Sequence, residues 1–457
     1  MKAEQWLADR HESIIAELLE FIAIPSVSTD PAHAPDVARA ADFVAQKLRD
    51  AGFADAQVRP TGGHPVVTAA WRGAPGKPTV LVYGHFDVQP PDPLEAWTSP
   101  PFNPEIRDTR VYGRGASDDK GPMLIPIKVA EAFFVSDGAP PVNLVFLFEG
   151  EEEVSSAHLE AFVVEHRDYL AADFVLSADG AQWRADLPSL ITGNRGICAL
   201  EVTVTGAAKD LHSGRHGGSI ANPIQALVRL LAGLHDLSGK VAVAGFYDAV
   251  IELDPGELRA IAELPWSEAA YLQSIGAPAG AGEAGYTLLQ RNWVRPTLEF
   301  NGISGGYAGP GKKTVIPSTA SAKITCRLVS VQHPEAVAAQ VATHLRAHAP
   351  AGVTVAVKIE PGGAMPYAVP HAHPGLALAA AVLQDVTGIA PILVRMGATI
   401  PIGDVFRRVL GIDTVFFSFA TSDEDYHAPN EFFRLASLET GLKAWAQYLV
   451  MLGQSRG

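Results

Sequence analysis

The residues best equipped for chemistry begin at Gly84-His85-Phe86-Asp87-Val88-Gln89-Pro90, directly after the apolar run Thr79 to Tyr83. Positions two apart in an extended chain point to the same side, so His85 and Asp87 can face one site together. Four further acidic or imidazole clusters follow: Ser117-Asp118-Asp119-Lys120-Gly121, Glu149 to Glu153, Ala178-Asp179-Gly180 and Tyr426-His427-Ala428-Pro429. Each stands at the end of an expected strand or just beyond one. A pair of divalent ions sharing a carboxylate needs roughly five His and Asp/Glu ligands with the metals ~3.5–4 Å apart. His85, Asp118, Glu153, Asp179 and His427 are of the right types for it. Three carboxylates and a hydroxide nearly neutralise two such ions, and neutral imidazoles complete the shells. The expectation is a two-metal hydrolase.

The elements that must position these groups read as two textures. Apolar periodicity gives a helix over Glu4 to Phe21 and another over Asp36 to Ala51, then strands Ala56 to Arg59, Pro65 to Trp71 and Thr79 to Tyr83. A Pro-rich loop, Gln89 to Pro104, precedes a helix (Met123 to Phe134), a strand (Val142 to Phe148), a helix (His158 to His166) and a strand (Phe174 to Ser177). This β/α order predicts a mainly parallel sheet with helices on both faces, whose strand ends form the usual binding crevice. After Thr192 the pattern changes to strict alternation over Ala199 to Thr205, a sheet with one face in water. Strands Thr297 to Phe300, Ala320 to Val329 and Val353 to Ile359, with helices Ala221 to Leu234 and Pro334 to His348, make an inserted α/β sandwich. The buried pattern returns with Leu376 to Val386, Ile392 to Arg395, Thr414 to Ser418 and a last helix near Leu438 to Leu452. The expected division is residues 1–192 and 374–457 as one split domain and 193–373 as the insertion.

Composition narrows the function classes. A chain of 457 residues, 47% hydrophobic, has room for more than one core. The net charge of −15 argues against a nucleic-acid surface, and no apolar run approaches a membrane span. Cys198 and Cys326 lie in strand-like runs and read as buried small hydrophobes in a reducing cytoplasm. The N-terminus shows no signal-peptide core, and a cytoplasmic enzyme is expected. No Gly-x-Ser-x-Gly elbow surrounds Ser117, Ser213 or Ser422, which excludes the common serine-hydrolase arrangement. His371-Ala372-His373 has ligand spacing but sits among prolines, where ordinary loop is the plainer reading.

Four stretches together carry a resemblance: Gly84 to Pro90, Val111-Tyr112-Gly113-Arg114-Gly115-Ala116-Ser117-Asp118-Asp119-Lys120-Gly121-Pro122, Glu149-Gly150-Glu151-Glu152-Glu153 and Leu211-His212-Ser213-Gly214. In order and spacing they resemble the dipeptidase branch of the aminoacylase/carboxypeptidase G metallopeptidases. The resemblance implies that His85 and Asp179 hold one zinc, Glu153 and His427 the other, and that Asp118 bridges them, with manganese or cobalt as substitutes. It implies Asp87 as the acid orienting His85, and Glu152 as general base, with Ser155 where the family more often has glycine. His212 would reach the active site of a partner subunit and donate to the oxyanion, so the enzyme would be a homodimer joined through the inserted lid. Arg327, with Arg395 and Thr399 in the loop Arg395 to Pro401, would hold the substrate's C-terminal carboxylate. Asn301, opening Asn301 to Gly306, is a candidate polar contact from the lid, with a structural turn as an equal reading. The family loop more often reads Gly-Gly-Ser/Thr than Met396-Gly397-Ala398. The expected activity is hydrolysis of small peptides. The alternatives are an N-acyl amino-acid amidohydrolase, a tripeptidase-like enzyme, or a silent binding protein on the same fold.

Overall fold

The computed structural model describes residues 1–454. They form a mixed α/β chain of two compact units: Met1–Thr192, Ala368–Val394 and 402–454 make the first, Gly193–Tyr367 and Arg395–Pro401 the second. The chain thus returns to the first unit at Ala368 rather than at residue 374. It also lends the second unit a further short segment, 395–401, which the apolar pattern of its flanks concealed.

The first unit is built on a six-stranded sheet in the order Gln57–Arg59, Val66–Trp71, Asn143–Glu149, Thr79–His85, Phe174–Ser177, Thr414–Phe416. The last four run parallel, and the first two pair antiparallel at the edge. Thr79–His85 is central because Val80 to Tyr83 are buried without alternation, as a strand covered on both faces requires. The chain leaves it for the neighbour Asn143–Glu149 and then crosses to the other side as Phe174–Ser177. The strand order therefore reverses beside Thr79–His85, where open sheets carry their sites. The connecting helix Gly121–Ser136 is apolar nearly all round, with residues Gly121 to Ala130 buried, as befits a helix beneath other helices. Leu435–Gln454 and Lys2–Asp9 pack on it.

The N-terminal periodicity, expected as one helix, is two: Lys2–Asp9 and His11–Ile22, separated at Arg10 (φ −113°, ψ 11°). Both keep their apolar stripe, Leu7 and then Ile14, Leu18 and Phe21, so the pattern alone could not reveal the break.

The second unit has a four-stranded antiparallel sheet in the order Thr297–Gly305, Thr319–Leu328, Gly196–Thr205, Thr354–Ile359. Along Gly196–Thr205 every second residue is buried. Leu200, Val202 and Val204 meet Ile324 and Leu328 under the helices Pro223–Ala232 and Pro334–Ala347, which contribute Leu227, Leu230, Val341 and Leu345. Cys198 and Cys326 stand opposite each other in register within this core as free, buried thiols. Three short helices that the apolar pattern did not announce (Pro255–Ala262, Glu268–Ser274, Leu288–Val294) flank the Gly/Ala/Pro-rich stretch 277–285.

Candidate metal centre

The centre lies within the first unit, at the carboxyl ends of its parallel strands. His85 is the last residue of Thr79–His85, and its register partner Glu149 closes the neighbouring strand. Asp179 follows Phe174–Ser177 by two residues, Asp118 lies in the turn that starts helix Gly121–Ser136, and Glu152 and Glu153 open the turn after Glu149. His427 arrives from the loop beyond Thr414–Phe416.

These side chains converge as two triads that share one residue. Ligand atoms of His85, Asp118 and Asp179 lie within 4.8 Å of one another, and so do those of Asp118, Glu153 and His427. Asp118 faces both ways. Its Oδ1 is 2.9 Å from His85 Nε2 and its Oδ2 is 3.0 Å from His427 Nε2, which is also 3.2 Å from Glu153 Oε2.

Asp87 does two jobs. Its Oδ1 is 3.4 Å from His85 Nδ1, and its two oxygens accept the backbone N–H groups of Glu152 (3.2 Å) and Glu153 (3.1 Å). It thereby fixes the ring of one candidate ligand and the backbone of the turn carrying another, the part expected of an outer carboxylate.

The electrostatics ask for cations. Burial pushes the Asp179 carboxyl up to about 6, and the neighbouring charges of Asp118 and Glu153 add to the shift. Burial likewise raises Glu152 and Glu153. Among the described residues no lysine or arginine is paired with any of these carboxylates, leaving the two imidazoles as the only counter-charges. Hydrogen bonds to Asp118 and then Glu153 lift His427 to about 10. A donor set of three carboxylates and two imidazoles, in two nitrogen-and-oxygen triads with a common aspartate, fits a pair of divalent ions.

Two supporting acids, Glu431 and Glu424, carried no signal at the level of motif, while Ser117 and Gln89 stood inside the motifs without a role assigned. Glu431, fully buried, accepts from Arg114 Nη1 (2.8 Å) and from the backbone N–H groups of Gly115 (2.8 Å), Ser117 (2.9 Å) and Asp118 (3.1 Å). It clamps the loop that presents Asp118 from a position four residues beyond His427. Ser117 Oγ donates to buried Glu424 at 2.6 Å, and Gln89 Nε2 donates to Glu153 Oε2 at 2.8 Å. An acid directly before the apolar pair Phe432-Phe433 was the available hint of Glu431's burial.

The remaining candidates belong to the second unit and are grouped differently. Arg327 Nη1 donates to Thr399 Oγ1 at 2.7 Å, so these two form a pair. Arg395 is partly buried and feels the charge of Glu257 instead. Asn301 is exposed at a bulge of the outer strand, between Phe300 and Gly302. His212 is exposed, and its Nδ1 accepts the Gly214 N–H at 3.0 Å, which leaves Nε2 to carry a proton outward.

Residues 81–451 match the sequence profile of "Peptidase family M20/M25/M40". The chain belongs to that family. The Cys-Gly metallodipeptidase of Candida albicans is 32% identical, covering 96% of this chain and 95% of that protein. The Beta-Ala-His dipeptidase of Homo sapiens is 30% identical over 99% and 92%. Among solved structures, the di-peptidase Dug1p from Saccharomyces cerevisiae superposes with a TM-score of 0.85 at 28% identity, covering 100% of this chain and 99% of that one. Human carnosine dipeptidase 1 gives 0.84 at 29%, covering 99% and 98%. This M20/M25/M40 peptidase is accordingly a hydrolase. No helix among its described residues is long and apolar enough to cross a membrane.

Proposed function

We propose that this chain is a metal-dependent dipeptidase that hydrolyses small peptides with a free C-terminal carboxylate. The single observation that carries the reading is the pair of triads sharing Asp118, with Glu152 beside them. Relatives named as Cys-Gly and Beta-Ala-His dipeptidases support it. His85 and Asp179 would hold one ion, Glu153 and His427 the other, and Asp118 both. Zinc suits the set, and manganese or cobalt can replace it, since nitrogen and oxygen ligands accept several divalent ions. When bound, such a pair supplies polarisation of the amide carbonyl and a water acidic enough to ionise near neutral pH.

The chain's own groups do the rest. Asp87 keeps the His85 ring and the Glu152–Glu153 backbone in place. Glu152 takes the proton of the attacking water and passes it to the leaving amine nitrogen. Arg327 and Thr399 receive the substrate carboxylate through charge-assisted hydrogen bonds, with Arg395 and Asn301 as further polar contacts. His212 donates its Nε2 proton to the tetrahedral oxyanion of a partner subunit, in a cytoplasmic homodimer.

The test is Glu152→Gln. Elemental analysis should find the metal retained, while dipeptide turnover falls by about 10²–10⁴-fold. A variant that cleaves at the normal rate removes Glu152 from the mechanism. A panel of dipeptides, tripeptides and N-acetylated amino acids tests the substrate class, and turnover of the acylated amino acids alone would replace the dipeptidase reading with a deacylase.

A further inference from the structure

We propose that Arg195 is a positioning residue for the carboxylate subsite, holding the loop that sets Thr399 against Arg327 and adding a second positive charge beside it. The inference rests on the dipeptidase reading for the identity of the carboxylate, but the geometry is that of the second unit alone.

Residues Asn194 and Arg195 seize the backbone on both sides of Thr399. The Arg195 N–H donates to Ala398 O at 3.1 Å and its Nε to Gly397 O at 2.8 Å, while Asn194 Nδ2 donates to Ile400 O at 3.2 Å. Arg195 Nη1 reaches Arg295 O at 3.3 Å and ties the guanidinium to a second segment. Three carbonyls around Thr399 are thus taken, and the Thr399 hydroxyl is left for Arg327 Nη1. A Cβ at Gly397 would stand 2.2 Å from Asn292 Oδ1, so a larger residue there must push the Asn292 side chain aside.

Arg195 is also a buried cation without an acid. It is 7% exposed, and neither it nor Arg327 forms an ion pair among the described residues. Burial, and then the nearby Arg327 charge, bring the Arg195 guanidinium down to about 10, with Glu299 opposing. A buried guanidinium held only by carbonyl dipoles is costly. An incoming carboxylate relieves that cost and meets a donor array already oriented by the backbone. Glu283 and Glu252 do not serve, since they are engaged by Arg295.

The experiment compares alanyl-glycine with its C-terminal amide in the wild type, R195M and R195K. R195M is expected to raise KM for the free acid by about tenfold or more and to shrink the acid-to-amide preference in kcat/KM by a similar factor, with kcat changed less than about threefold. R195K keeps a charge but cannot span Gly397 O and Arg295 O together. It should lose part of the same preference, and it carries the test if R195M does not fold. Unchanged KM and preference in the variants, or a fall in kcat alone with the preference intact, overturns the proposal. A wild-type enzyme that ignores alanyl-glycine but cleaves N-acetylglycine over its amide defeats the dipeptidase reading and not this one, because the same ratio can then be read on that pair. If neither is cleaved, calorimetric affinities for alanyl-glycine and its amide take the place of KM.

Discussion

Asp118 presents one oxygen to each of two imidazoles, and this doubles the consequence of losing it. Asp179 belongs to one triad and Glu153 to the other, whereas Asp118 belongs to both. D179A and E153A should each retain about one ion per chain and D118A about none, counted by elemental analysis after dialysis. Equal stoichiometry in all three would end the shared-ligand arrangement. Of the five candidate donors, His85, Glu153 and Asp179 were legible because they stand at or just past strand ends, whereas Asp118, at a helix start, and His427, in a long loop, were legible only within their motifs. Glu431 and Glu424 were not, because an isolated glutamate shows no partner until the fold brings Gly115, Ser117 and Asp118 to it across about 300 residues. Glu149 also acts through its surroundings. Burial pushes its carboxyl up to about 8, against the hydrogen bond from Tyr83. The folded chain therefore keeps a proton that the unfolded chain releases above its ordinary carboxyl range, and the associated stability, full at acid pH, is lost as pH rises through about 8. Tyr83 and Ser156 both donate to Oε1, at 2.5 and 3.0 Å, so a glutamine can accept both bonds without the proton. Denaturant midpoints of E149Q should fall less between about pH 5 and pH 9 than those of the wild type. Parallel curves would show that Glu149 is ionised in the folded chain.

At the scale of elements, two loops carry backbone conformations that their function imposes. Gly115, φ +82°, turns the chain into the Asp118 loop, and a Cβ there would stand 2.4 Å from Val88 Cγ1. G115A should cost about 1–2 kcal/mol for the left-handed backbone alone, more with the clash, and weaken metal retention because the same loop presents Asp118. Chemical denaturation and metal content measure the two effects, and wild-type values for both would deny the loop its part. The segment 424–431 holds Asp425, His427 and Asn430 at positive φ, each unusual for a non-glycine residue. Asn430 anchors it by accepting from Thr98 N–H and donating to Ala96 O, and Glu431 anchors it from within. Ser155, φ +74°, occupies the position where the resembling family more often has glycine, so the backbone demand persists though the residue differs. The strands of the two larger sheets were read well from sequence because burial on one face or two leaves a direct pattern, as in Gly196–Thr205, whereas Ser189–Asn194, Glu105–Arg107 and Arg110–Tyr112 were missed. The helix Ile402–Leu410 and the break at Arg10 escaped. The first is short and follows a proline, and the second leaves the apolar stripe in phase across the interruption.

At the scale of the molecule, the change of texture after Thr192 was visible in sequence, whereas the passage of 395–401 into the second unit was not, since it rests on hydrogen bonds to Asn194 and Arg195 rather than on composition. The second unit leaves Thr297–Gly305 at the edge of its sheet, with Phe300 39% and Ile303 60% exposed. Beyond the bulge at Asn301, which breaks regular pairing, the exposed edge 302–305 carries no lysine or proline and is a template for pairing with another chain. A second copy of the same strand offers the self-complementary surface that a two-fold dimer needs. The outward Nε2 of His212 would then complete the partner's oxyanion site. The proposed homodimer makes I303K a discriminating variant, because a buried unpaired ammonium at the strand edge opposes pairing. Sedimentation should show a dimer for the wild type and a monomer for I303K, with metal content unchanged and dipeptide turnover falling by about tenfold or more as His212 is withdrawn. Dilution of the wild type through its dissociation range should reproduce that fall. A monomeric wild type at full turnover would leave His212 without a part in catalysis.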